Sequence, residues 1–182
     1  EDLKDLNFIA IKIGDLAGAY GVELQGGNST EKTLSLRTDN QRLLPGAIIE
    51  VPIRAGDTRN LSGYQHAYKF DTDKVVFTGI DFGQELKLGD NNFGYQHLSD
   101  GYLTTSWYDT EDKNIEAGTI IYKLRFEVKE ASQLKDVLSI SSEHTHAEAY
   151  FDNDKVGDVQ FKFTVLEGDQ LIVMNSPNPF KE

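Results

Sequence analysis

The chain has 182 residues, room for one sizeable core but not two ordinary domains, and it lacks cysteine, which excludes a disulfide framework and thiolate chemistry. Asp and Glu number 30 against 18 Lys and Arg, and the formal net charge of -12 repels phosphate backbones, so nucleic acid is not an expected partner. No stretch approaches the roughly 18 to 20 continuous apolar residues of a membrane span.

The chain opens Glu1-Asp2-Leu3 with no methionine, basic n-region or apolar h-region. The expectation is a piece of a longer protein, with any export signal upstream. From Leu3 to Ile13, Phe8, Ala10 and Lys12 alternate with Ile9, Ile11 and Ile13 before Gly14-Asp15-Leu16-Ala17-Gly18, a short strand meeting a turn. Tyr20 to Lys32 is Gly, Ser, Asn and charge without periodicity, a flexible linker. Residues 1–32 are therefore read as an N-terminal flank.

Leu34 and Leu36 alternate with polar neighbours, and Leu44-Pro45-Gly46 turns the chain into Ile48-Ile49-Glu50-Val51-Pro52-Ile53. Leu61 to Phe82 reads as two more strands around Asp71-Thr72-Asp73. Tyr64, His66, Tyr68 and Phe70 share one face before the turn, and Val75, Val76, Phe77, Thr78 and Ile80 follow it, so a hairpin or sheet edge is expected. Gly83 to Gly101 is a long loop with a short strand around Phe93 to His97. In Tyr102 to Tyr108, Leu103, Thr105 and Trp107 oppose Tyr102, Thr104, Ser106 and Tyr108, and Asp109 to Ala117 is then expected to turn the chain.

Ile120, Tyr122, Leu124, Phe126 and Val128 against Lys123, Arg125, Glu127 and Lys129 make the clearest half-buried strand. A helical turn at Ala131 to Lys135 precedes short strands at Val137 to Ile140 and Ala147 to Phe151. Asp152 to Asp158 is a turn, and Val159, Phe161, Phe163 and Val165 alternate in a last strand. Leu171 to Glu182, with Pro177 and Pro179, is expected to be an exposed tail. About nine short strands and no long helix predict an all-β fold, an antiparallel β-sandwich with jelly-roll topology over 33–166, followed by a tail at 167–182.

The row Gly63-Tyr64-Gln65-His66-Ala67-Tyr68-Lys69-Phe70-Asp71 resembles the G-F-Q-F-x-L-x-Y-D signature of cohesin-like domains. Gly101-Tyr102-Leu103-Thr104-Thr105-Ser106-Trp107 and Gly118-Thr119-Ile120-Ile121-Tyr122-Lys123-Leu124-Arg125-Phe126 are similar, in the same order, to the family's G-x-L-x-x-S-W and G-x-L-x-x-L-x-F segments. Phe8 to Ala19 looks like the segment preceding such modules in surface proteins of the Bacteroidetes type, where it opens a dockerin-type calcium loop. Here Leu16-Ala17 stands where an oxygen ligand belongs, so Asp15 is read as a turn cap. Asn175-Ser176-Pro177-Asn178-Pro179-Phe180 resembles the opening of the carboxy-terminal sorting domain of type IX secretion. The resemblance implies a secreted, extracellular or cell-surface-attached protein.

No G-x-S-x-G elbow, phosphate-binding glycine loop or H-E-x-x-H occurs, so an enzyme is not expected. His144 and His146 would share a face without an evident third ligand, and His66 reads as a core or rim filler. Calcium is the cofactor to consider. Asp152, Asp154 and Asp158 place hard oxygens at loop spacing, as do Asp71 with Asp73 and Asp90 with Asn91 and Asn92, although the same residues also end strands and form turns.

The expected function is a non-catalytic extracellular binding or structural module. Its partner would be a protein, either a dockerin-like helical module docking on one sheet or the chain itself. The alternatives are a carbohydrate-binding module for extracellular polysaccharide, using Tyr95, Tyr102 and Tyr108 as stacking platforms, and a subunit of a surface filament.

Overall fold

Leu34, Leu36 and Thr38 are buried while Arg37 and Asp39 are exposed, the two-residue period of a strand lying on a core. In the computed structural model this strand is β1 (Thr33–Asp39). The structure describes residues 32–152, 155–167 and 170–175. In chain order there follow β2 (Arg42–Leu43), β3 (Ile48–Ala55), β4 (Thr58–Phe70), β5 (Val75–Phe82), β6 (Phe93–Gly94), β7 (Tyr102–Ile115), β8 (Ile120–Val128) and β9 (Ser132–Gln133). The one-turn helix α1 (Leu134–Val137), β10 (Leu138–Ser141), β11 (Glu148–Phe151), β12 (Lys155–Glu167) and β13 (Gln170–Asn175) follow, and 3-10 turns lie at Asp90–Asn92 and Leu98–Asp100.

Eleven strands form one sheet in the order β5-β8-β3-β1-β12-β11-β4-β7-β6, with β10 added to β4 and β13 to β12, while β2 and β9 make a small separate ribbon. Every pairing is antiparallel except β1 with β12, which run parallel from Thr33 opposite Asp158 to Asp39 opposite Thr164. The sheet curls until its two halves face each other as a sandwich. Tyr68 of β4 and Tyr122 of β8 meet across the interior with their hydroxyls 2.9 Å apart. The rings of Phe70 and Phe126 lie edge to face at 5.5 Å, and those of Phe93 and Tyr122 at 5.2 Å. The predicted inner faces of β4, β7 and β8 therefore meet in one core.

Three sequence expectations change. The Asp71 turn does not close a hairpin: its carbonyl accepts the N–H groups of Lys74 and Val75, but β4 pairs with β7, β10 and β11, while β5 crosses to pair with β8. β7 does not end at Tyr108 but runs to Ile115. Its polar half lacks apolar alternation and is held instead by pairing with the start of β4 and by the Lys113–Asp109 ion pair at 3.1 Å. Leu171 to Asn175, expected as exposed tail, forms β13 against β12, so the sheet extends past 166. Residues 1–31 and 176–182, with the linker, turn and sorting-segment expectations placed there, lie outside the described residues. Among the described residues no helix is long and apolar enough to cross a membrane.

Candidate partner-binding face

A sandwich has two outer faces, and here they differ in chemistry. On the outside of β5-β8-β3 several charges pair with one another, beside a row in which exposed Ile48 and Val76 flank Glu127. Lys123 donates to Glu50 at 2.7 Å, Arg125 lies 3.5 Å from Asp81, and Arg54 of β3 lies 3.5 Å from Asp39 of β1. The Lys123 hydrogen bond and charge hold the Glu50 carboxyl below its ordinary value. Such exposed pairs add little stability, but a partner docking there would have to replace them.

The outside of β11-β4-β7-β6 is built otherwise. Cross-strand register places Tyr150, Gly63 and Tyr108 in one row, Glu148, Gln65 and Ser106 in the next, and Ala67 with Thr104 and Gly94 in a third. Gln65 and Ser106 at the middle of this face carry no charge, while Glu148 and, beside it on β12, Asp158 put acidic charge at one end of their row. The first row continues onto β12, where Val156 opposes Tyr150. Val156 and Tyr108 are 61% and 60% exposed, large apolar area left in water on a flat surface. Gly63 makes the row possible, because a Cβ there would lie 2.9 Å from the Trp107 carbonyl and 3.6 Å from the Tyr108 ring. Small side chains such as Ser106 and Thr104 lose little rotamer freedom on docking, and tyrosine offers wide contact with a polar end.

The opposite end of the face is covered. Tyr102 of β7 points outward beside Lys69 yet is only 6% exposed. The segment Ser142–Ala147, between β10 and β11, reaches over it. The His144 ring stands edge-on to Tyr102 at 4.7 Å, the Tyr102 hydroxyl donates to Glu143, and the Lys69 ammonium sits 5.2 Å above the Tyr102 ring. His144 also stacks on His97, from the loop after β6, with ring centroids 4.0 Å apart.

Among the described residues, the sequence-named aspartates do not converge. Asp152 accepts from Lys32 at 2.5 Å, Asn60 at 2.6 Å and Lys155 at 3.1 Å, and these donors hold its carboxyl far below the usual carboxylate range. Asp158 is not in the turn but in β12, opposite Thr33 and Glu148, and Asp154 lies outside the described residues. A cation bound through Asp152 would have to displace two ammonium groups. Asp71 receives the Asp73 N–H, and Asp90 and Asn92 receive the Tyr95 hydroxyl and the Gly89 N–H, so both groups serve their own turns. Among the described residues no three His, Asp or Glu side chains gather as a metal site.

His66 is fully buried between Tyr64 and Tyr68, and burial pushes its pKa down to about 3. Tyr95 leans on Phe77 and Tyr102 is buried, so with Tyr108 they present no common exposed platform for a sugar. The row that Tyr108 ends, and the meeting of His97 with His144, escaped sequence reasoning. The strand alternation that put Tyr108 outside was visible; the second contact requires the loop path.

The cohesin domain family model matches residues 33–167. No curated protein matches the chain. Among solved structures, the sixth cohesin of Acetivibrio cellulolyticus scaffoldin B, crystallised with a Cel5 dockerin mutant, is 21% identical with a TM-score of 0.55, covering 75% of this chain and 100% of its own. A Clostridium thermocellum OlpA cohesin, solved in a type I cohesin–dockerin complex, gives 12% identity and a TM-score of 0.52 over 74% of this chain and 100% of its own. The seventh ScaB type I cohesin of Pseudobacteroides cellulosolvens gives 16% and 0.51 over 78% and 97%. At these identities the likeness shows the fold, while the family match spans most of the sequence and every strand from β1 to β12. The chain belongs to the cohesin family of non-catalytic protein-binding modules.

Proposed function

We propose that this chain recognises a dockerin-like helical module through the outer face of β11-β4-β7-β6. The observation that carries the reading is the row Val156–Tyr150–Gly63–Tyr108, exposed at Val156 and Tyr108, beside the uncharged Gln65 and Ser106. An amphipathic helix laid across such strands can seat apolar side chains beside Tyr108 while its polar groups reach Gln65 and Ser106. The dockerins in the complexes of the structural relatives support this partner class.

The test is calorimetry of the full chain against individually produced dockerin-like modules of the parent organism. Saturable one-to-one binding to at least one supports the proposal, and heat from none of them, with soluble polysaccharide or a second copy binding instead, overturns it. We place the parent protein outside the cell on the strength of the Asn175 to Phe180 resemblance. Protease shaving of intact cells checks this: release of peptides from this module is expected, and its retention inside the cell contradicts it.

A further inference from the structure

An outward-facing tyrosine is buried at one end of the docking face under His144, whose ring stacks on His97 from a separate loop. We propose that Ser142–Ala147 is an acid-released flap over this face, held shut by the His144–His97 stack while both rings are uncharged. The closed flap has few other ties. Its inner hydrogen bonds are short-range, from the Glu143 N–H to Ser141 Oγ, from the Thr145 N–H to the Glu143 carbonyl and from the Ala147 N–H to Ser142 Oγ. His144 holds a left-handed backbone, φ 66°, which a non-glycine residue abandons readily once its side-chain contacts are lost.

Histidine changes charge between about pH 5 and 8, and two imidazolium rings 4.0 Å apart repel. The surrounding charges set how this plays out. Asp100, on the turn carrying His97, stands 3.8 Å from its Nδ1, and Glu143 beside His144 is engaged by the Tyr102 hydroxyl. Lys69, from β4, brings a positive charge onto the Tyr102 ring, and His146 lies 3.7 Å from Glu148 at the flap's other end. When both rings carry charge they repel across the stack, with Lys69 on the same side, and moving His144 away relieves both effects. Released, the flap uncovers Tyr102 and lengthens the face that the proposed docking uses; the release itself does not depend on that reading.

The experiment is amide exchange on the full chain, with protection corrected for intrinsic rates, followed at flap peptides. Protection should fall at least about ten-fold from about pH 8 to about pH 5, and hardly change in His97→Phe, which keeps a stacking ring without a titrating one. Equal protection at both pH values, or an equal fall in His97→Phe, overturns the proposal. Ring-to-ring NMR contacts between His144 and Tyr102 in the unsubstituted chain decide the matter should that variant misfold: present at the higher pH and lost at the lower supports it, retained at both overturns it. No partner takes part, so a chain that binds no dockerin still answers this question.

Discussion

At the scale of single residues, His66 is the least expected member of the core. It stands where the family signature carries phenylalanine, and among the described residues neither ring nitrogen has a hydrogen-bond partner. Its folded-state pKa is pushed to about 3 from an unfolded value near 6.5, so the native state binds fewer protons than the unfolded one in between. The stability linked to it is complete above about pH 6.5 and shrinks as pH falls, by about 2 kcal/mol at about pH 5. His66→Phe should remove that slope while holding or raising stability at neutral pH; denaturant unfolding at several pH values checks it, and an unchanged slope would assign acid lability elsewhere. Trp107 packs on Tyr64 at 5.9 Å and its ring N–H donates to the Leu86 carbonyl at 2.9 Å. Trp107→Ala should therefore cost about 3 to 5 kcal/mol in the same measurement. Strand alternation alone gave both residues a face, because a period of two does so before any partner is known, but left His66 open between core and rim and Trp107 between core and surface platform. The carbonyl that Trp107 finds was not legible, since Leu86 comes from a loop.

At the scale of elements, local pattern and long-range pairing separate. The strands themselves showed in the sequence wherever apolar and polar residues alternate, as in β8. The polar extension of β7 and the pairing of β13 did not show, because a ladder partner rather than a buried stripe holds them. The turn before β7 is fixed by backbone shape. Gly101 has φ 83°, and a Cβ there would lie 2.3 Å from the Phe70 carbonyl, which accepts no substitute without movement. Gly101→Ala should lose more than about 1 kcal/mol, read by thermal or denaturant unfolding. The Asp152 turn carries a different expectation. With Lys32, Asn60 and Lys155 already on its carboxylate, millimolar calcium and a chelator should give the same melting temperature. A rise with calcium would show a cation in place of the lysines.

At the scale of the whole molecule, the sandwich sorts its surface into a self-paired charged face and an open one. Sequence motifs reached the family, since several weak segments recur in order. They did not reach the face, because which outward side chains share a row depends on the registers of β11 with β4 and β4 with β7. Tyr108, Gly63 and Tyr150 are far apart in sequence and adjacent only through those ladders. The most direct measurement is calorimetry of a bound dockerin-like module with the unsubstituted chain, with Ser106→Arg on the open face and with Lys123→Ala on the paired one. The account predicts at least about a hundred-fold loss of affinity for Ser106→Arg and less than about a two-fold change for Lys123→Ala. Full affinity in Ser106→Arg with loss in Lys123→Ala would move the docking site to β5-β8-β3 and contradict it.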